Sequence, residues 1–383
     1  MKTSFYLCLL ILFTGCAWLG DKDNSAPPAK LEAFEETAKL RKVWSHDTGE
    51  GTNDQLLKLV PAISDGVVYV ADRNGRVVAL NADNGKKIWK TNTDVLLSAG
   101  PGVGGQLVLV GTSNGDLIAL GADDGAVRWH IAVTSEILAV PKVHLGVVII
   151  QTVDGNLSGY DSESGKRLWV FDRTVPVLTL RGTSSPIIID DVVMAGFANG
   201  KIVALDIRSG RQLWEATVAV PSGRSELERL VDIDADLVMY KGILYVISFQ
   251  GHLAAVSLED GAVLWNRELS SFSGLSVDNA QVYVTDDISQ VWALANDNGQ
   301  SMWKQDGLLH RAVTGPVRFE DFVVVGDFAG YVHLFNAADG QPAGRVRVDR
   351  AGVQLMPVVA GSRLYVLGAG GKLVAYELRK PSS

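Results

Sequence analysis

The sequence predicts an all-β fold, an eight-bladed β-propeller of four-stranded antiparallel blades, and three observations carry that prediction. First, a glycine is followed fourteen residues later by a tryptophan at Gly75/Trp89, Gly115/Trp129, Gly155/Trp169, Gly200/Trp214 and Gly251/Trp265, and a weaker copy runs from Ser289 to Trp303. Successive tryptophans of this series are 40, 40, 45, 51 and 38 residues apart, and such a period marks a repeat array. Second, each period holds four short apolar or alternating runs separated by Gly, Asn and Asp, as in "SNG" and "DDG". These separators are hairpin turns, and four antiparallel strands per period describe a propeller blade. Third, the third-strand motif recurs eight times, at Ala79-Leu80, Ala119-Leu120, Gly159-Tyr160, Ala204-Leu205, Ala255-Val256, Ala293-Leu294, Leu334-Phe335 and Ala375-Tyr376. A helical repeat does not fit, because glycine recurs too often and no segment of the array sustains a helical period beyond about two turns.

The elements follow in chain order. Lys2 and the run "FYLCLLILF" make a positive start and an apolar core too short to span a bilayer, so residues 1–15 read as a signal peptide. "TGCAW" comes next, with a small residue before Cys16. This resembles the lipobox of bacterial lipoproteins, a class in which the signal is cut before the cysteine and the thiol carries a diacylglycerol. Phe13 stands where that pattern prefers leucine, and an ordinary secretory signal with an incidental Cys16 is the alternative. Ala17, where an aspartate would favour the inner membrane, resembles sorting to the periplasmic face of the outer membrane. Residues 16–40 read as the lipidated cysteine and a flexible tether, polar and proline-containing in "DKDNSAPPAK".

Residues 41–380 read as the propeller. "RKVWSHDTGE" places Trp44 on a fourth-strand-like sequence with no first three strands ahead of it, while the eighth copy ends at "GKLVAYELRK" with no fourth strand. Pairing of these two pieces is expected to close the ring and remove a sheet edge. Trp89, Trp129, Trp169, Trp214, Trp265 and Trp303 read as structural wedges, each a large ring opposite a small third-strand residue and each burying about 150–250 Å². Gly344 takes the tryptophan's place in the seventh copy, so one seam is expected to be less filled.

Composition narrows the function. Hydrophobic residues make 47% and charged residues 20% of the 383, as in a soluble globular chain. The net charge is −8 with no basic stripe, which argues against nucleic acid. Cys8 and Cys16 are the only cysteines, so the folded part has no disulfide even in an oxidising compartment. None of the six histidines is spaced as a metal pair, and there is no G-x-S-x-G elbow, P-loop or dinucleotide fingerprint. Asp-Gly pairs such as Asp124-Gly125 and Asp154-Gly155 read as hairpin turns rather than calcium loops. No catalytic residue, metal or cofactor is assigned, so the chain reads as a non-enzyme.

"GKIVALDIRSGRQLW", Gly200 to Trp214, resembles the quinoprotein-type propeller repeat. That likeness implies a dehydrogenase using pyrroloquinoline quinone with calcium, although the vicinal cysteine pair typical of those enzymes is absent here. Eight such repeats behind a lipoprotein-like signal resemble the BamB family, lipoprotein subunits of the outer-membrane β-barrel assembly machinery. Three irregular segments carry the specific likeness: "VPVLTLRGTSSPII" (175–188), "SELERLVDIDADLV" (225–238) and "DGLLHRAVTGPV" (306–317). The resemblance implies a non-catalytic scaffold that contacts the periplasmic POTRA domains of BamA through Leu178, Leu180, Arg181, Asp232 and Asp234. In the alternative, the two leucines pack into a blade seam and Arg181 pairs locally with Asp232 or Asp234. His310 and Arg311 match the third segment and receive no role. A further expectation is that blade edges take up strands of unfolded outer-membrane proteins by β-augmentation. A periplasmic propeller binding glycan or peptidoglycan stays open beside the dehydrogenase.

Overall fold

Among the described residues, short apolar runs bounded by tight turns fold into thirty-two strands and eight four-stranded antiparallel sheets. The computed structural model describes residues 26–52, 55–180 and 182–379, and among them there is no α-helix. Blades 1 to 7 span residues 62–92, 97–132, 142–171, 187–217, 238–268, 275–305 and 317–347, and each is a simple up-and-down meander. Blade 8 takes three strands from residues 358–378, and its outermost strand, Leu40–Asp47, comes from the other end of the chain. That closing strand pairs antiparallel with Lys372–Leu378, Trp44 lying opposite Ala375.

Eight apolar clusters lie between consecutive blades, and one of them joins Tyr365 and Leu367 of blade 8 to Val68 and Val70 of blade 1. A twisted sheet cannot cover both its faces alone, so stacking around a ring is what buries them.

Each seam tryptophan has two neighbours. Within its own blade it lies opposite the small third-strand residue, as Trp89 does with Ala79 and Trp169 with Gly159. Across the seam the ring covers a turn glycine of the next blade: Trp44 on Gly85, Trp89 on Gly125, Trp129 on Gly165, Trp169 on Gly210, Trp214 on Gly261, Trp265 on Gly299 and Trp303 on Gly340. Its indole N–H donates to a carbonyl of that same turn, from Trp44 to Ala82 at 2.8 Å through Trp303 to Ala337 at 2.8 Å. The turn glycine is required twice over. At Gly125, for example, φ is +68° and an added Cβ would stand 2.5 Å from the Trp89 ring.

The seam between blades 7 and 8 is built differently. A tryptophan at position 344 would have no glycine turn to dock on, because the third and fourth strands of blade 8, Lys372–Leu378 and Leu40–Asp47, are not joined by a turn. Residues 29–38 fill the place instead. Thr37 and Ala38 both donate from their backbone N–H to the Ala343 carbonyl at 2.9 Å, and a Cβ on Gly344 would meet the Ala38 carbonyl at 2.4 Å. Leu31 packs against the cluster between blades 6 and 7. The expectation of a less-filled seam at Gly344 is therefore corrected. Of the expected 16–40 tether, residues 26–40 are described; Leu40 already belongs to the closing strand, and much of the rest runs as an arm along blade 7. Cys16 and the 1–15 signal lie outside the described residues.

Candidate partner-docking rim

The two edges of the ring carry different connections. On one edge, the links from each fourth strand to the next blade run beside the turns between second and third strands. Thr93 donates to the Gly75 carbonyl at 2.9 Å, Val133 to Gly115 at 2.7 Å and Val218 to Gly200 at 2.8 Å. All three irregular segments are links of this kind, so the fold gathers them on one rim, where binding residues are expected.

The first segment leads into blade 4 and the second into blade 5. Their juncture is Asp232, only 1% exposed, whose Oδ2 accepts the backbone N–H of Leu180. Asp234, 9% exposed, packs under Gly182, where a Cβ would stand 2.8 Å from its carboxyl carbon. A side chain at position 182 would separate the two segments. Burial pushes the Asp232 carboxyl up to about 6 against the Leu180 hydrogen bond. Burial, then the neighbouring Asp232 charge, push Asp234 up to about 7 despite the opposing charge of Lys58. Asp232 and Asp234, expected at the partner contact, are both buried, and they shape the exposed loop from beneath it.

That loop presents apolar groups. Val177 is 97% and Leu178 42% exposed, and Leu180 is partly buried beside them. Val220 and Leu227, on the link between blades 4 and 5, are exposed as well. The alternative in which Leu178 packs into a seam does not hold. Arg181 lies outside the described residues. Beneath the loop is a cavity of about 30 Å³ lined by Gln151, Thr179, Gly182, Ile233 and Asp234, with room for a water and not for a substrate.

Three features escaped the sequence reading. Lys58, from the link between the closing strand and blade 1, donates to the Thr183 and Asp234 carbonyls and to Asp236 Oδ1 at 2.7, 2.8 and 2.7 Å. Local desolvation works against the Asp236 carboxylate, whose side chain is half exposed, yet the charge of Lys58 and its hydrogen bond outweigh it and hold that carboxyl below the usual range. The only signal was a lysine alternating with Leu57 and Leu59, which are buried. A space of about 480 Å³ beside Asp236 is lined by Lys142, His144 and Asp190 together with apolar Val103, Val143 and Ile187. Thirdly, the segment at 306–317, given no role from sequence, holds the arm. Buried Arg311 pairs with Asp327 at 2.7 Å and donates to the Ala29 carbonyl at 2.9 Å. Among the described residues no group of acidic, histidine or cysteine side chains is arranged to hold a metal, and no helix is long and apolar enough to cross a membrane.

Comparison with known proteins supplies the family context. Residues 30–98 and 89–305 match the family model described as outer membrane protein assembly factor BamB. The chain is similar to the outer membrane protein assembly factor BamB of Pseudomonas aeruginosa, 48% identical over 378 residues covering 99% of each chain. It is 34% identical to that of Escherichia coli over 375 residues, 95% of this chain and 96% of the other. Among solved structures, BamB from Moraxella catarrhalis superposes with a TM-score of 0.81 at 30% identity, covering 88% of this chain and 100% of that one. A quinohemoprotein alcohol dehydrogenase from Comamonas testosteroni gives 0.68 at 15% identity over 90% of this chain and 78% of the other, a likeness of fold alone.

Proposed function

We propose, from the premise that the chain belongs to the BamB family of outer membrane protein assembly factors, that it serves the assembly complex as a rigid scaffold whose loop-bearing rim docks the periplasmic POTRA domains of BamA. It is an assembly factor and not a catalyst. One observation carries the docking reading: Asp232 and Lys58 knit two separate links into a single ledge, and that ledge puts Val177 and Leu178 into solvent. Exposed apolar side chains on a fixed backbone lose little entropy on binding and gain by desolvation. Leu178 is the contact residue of this reading, with Leu180 and Asp232 holding it. Arg181, next in sequence, is proposed as the polar member of the contact on the family motif.

The rest of the reading places the ring at its membrane. Cys16 carries the lipid, the chain sits on the periplasmic face of the outer membrane, and the arm on blade 7 connects the two. A Cys16→Ser variant is expected to leave the membrane fraction; a variant that stays there would remove the lipid anchor from the account.

The docking test uses Leu178→Asp against Ile88→Asp, an equally exposed site on an outer strand. Affinity for purified BamA periplasmic domains should fall at least about tenfold, worth 1.4 kcal/mol, for the first and hold for the second. Equal affinity in both variants overturns the reading.

A second contact, with strands of unfolded barrel proteins, is favoured by a separate observation. The fourth strand of each blade is a sheet edge, and Ile88, Val127, Leu168, Leu264 and Met302 stand exposed on these strands. Photocrosslinkers at these positions should capture a nascent barrel protein, and their silence beside intact BamA crosslinks counts against it.

A further inference from the structure

Lys58 is held at both ends. Its backbone carbonyl accepts the Gly100 N–H at 3.0 Å, and the residue forms a parallel bridge with Ala99 in the first strand of blade 2. Leu57 and Leu59 on either side are buried in the cluster between blades 1 and 2. Alternation along this extended stretch turns the lysine the opposite way. The side chain, 26% exposed, reaches the links that lead into blades 4 and 5. An ammonium has three N–H donors and no acceptor. All three have acceptors here: the Thr183 carbonyl, the Asp234 carbonyl and Asp236 Oδ1. Asp236 Oδ1 also accepts the Ser185 N–H at 2.7 Å, and Ser185 Oγ accepts the Val140 N–H at 3.1 Å. The links into blades 3, 4 and 5 are thereby joined through one lysine that belongs to none of them.

We propose that Lys58 is the positioning residue of the docking rim, a clamp from the link into blade 1 that fixes the 175–186 and 228–237 segments in the arrangement presenting Val177 and Leu178. The proposal rests on the docking reading above. Lys58 does not itself meet the partner. Its removal takes a charged donor from two carbonyls and the hydrogen-bonded cation from Asp236, leaving only the charge of Lys142 near that carboxylate. Arginine, a cation with more donors on a different geometry, should hold the segments in part.

The test uses the full-length chain with Lys58→Met and Lys58→Arg, read by amide exchange and by affinity for the BamA periplasmic domains. For Lys58→Met, exchange across both segments should quicken about tenfold while blades 6 to 8 keep wild-type protection, and affinity should weaken about tenfold. Lys58→Arg should recover part of each. Wild-type exchange across both segments in Lys58→Met overturns the proposal, as does exchange that quickens while affinity holds. If Lys58→Met exchanges everywhere because it does not fold, Asp236→Ala is read in its place. It must loosen the stretch around Ser185, and unchanged protection there overturns the clamp. Loosened segments in a protein whose wild type shows no affinity for the BamA domains uphold the clamp and remove the docking reading instead.

Discussion

The seam between blades 6 and 7 and the seam between blades 7 and 8 solve one problem with different parts. At the first, Trp303 lays its ring on Gly340 and donates to Ala337. At the second there is no ring and no receiving turn, and the chain's own N-terminal arm is laid over Gly344. Besides its backbone hydrogen bonds to Leu309 and Ala343, the arm is held by charged side chains rather than by an aromatic wedge. Arg311 and Asp327 form a buried pair, His333 lies 3.0 Å from Asp327, and Arg345 stacks over Phe34 at 5.0 Å while donating to the Glu32 carbonyl. A repeat carries its seam device in every copy except where the chain begins and ends. There the ring is closed by whatever lies next to it in sequence.

Breaking each seam in turn sharpens the contrast. Trp303→Ala should cost about 3–5 kcal/mol in denaturant unfolding, since a large ring and its hydrogen bond leave together; a loss below about 1 kcal/mol would show that the wedge is dispensable. Arg311→Met strands the buried Asp327 carboxylate and should cost a similar amount, about 3–5 kcal/mol. Unlike the tryptophan change, it should also open residues 26–39 to limited proteolysis. Gly344→Trp asks whether one device can replace the other. With no turn to dock on and the Ala38 carbonyl in its way, the ring should displace the arm and lose about 1–3 kcal/mol. A gain in stability contradicts the account of that seam.

The smallest effect is expected from pH. Burial holds the His333 imidazole below its ordinary range in spite of Asp327, and the charges of Arg345 and Arg311 push the same way. Burial would raise Asp327, but hydrogen bonds from His333 and the Tyr331 N–H and the pairing with Arg311 outweigh it and hold that carboxyl low. Both folded values lie below the unfolded ones, so the unfolded chain binds more protons and the arm's anchorage on blade 7 weakens on acidification. The His333 share is complete above its unfolded value near 6.5 and is lost as pH falls below it, whereas the Asp327 share goes only below about 4. Protection factors in residues 29–38, with the intrinsic pH dependence of exchange divided out, should therefore fall as pH drops below about 7.5, with no matching change around Trp169. His333→Gln should flatten that window.

The ring was legible because its signals repeat. Gly75 to Trp89 states the third strand, the turn and the wedge in one span, and later copies restate it. Trp44 without its strands pointed to where the ends meet. What repetition could not show was the exception. Nothing in Gly344 alone says that Ala38 lies over it, because the two are remote in sequence and joined by backbone hydrogen bonds that carry no side-chain signature. The rim was half legible for the same reason. Leu178 stood out in a segment the repeat does not explain. Burial of Asp232 and Asp234 and the reach of Lys58 depend on links that meet only after blades 2 to 5 have stacked.

Amide exchange on this chain, free and bound to the BamA periplasmic domains, tests the docking rim most directly. Protection should appear in residues 175–186 and around Leu227, while turns on the opposite edge, such as 81–86, exchange as in the free protein. A footprint confined to those turns or to the outer strands would contradict the account.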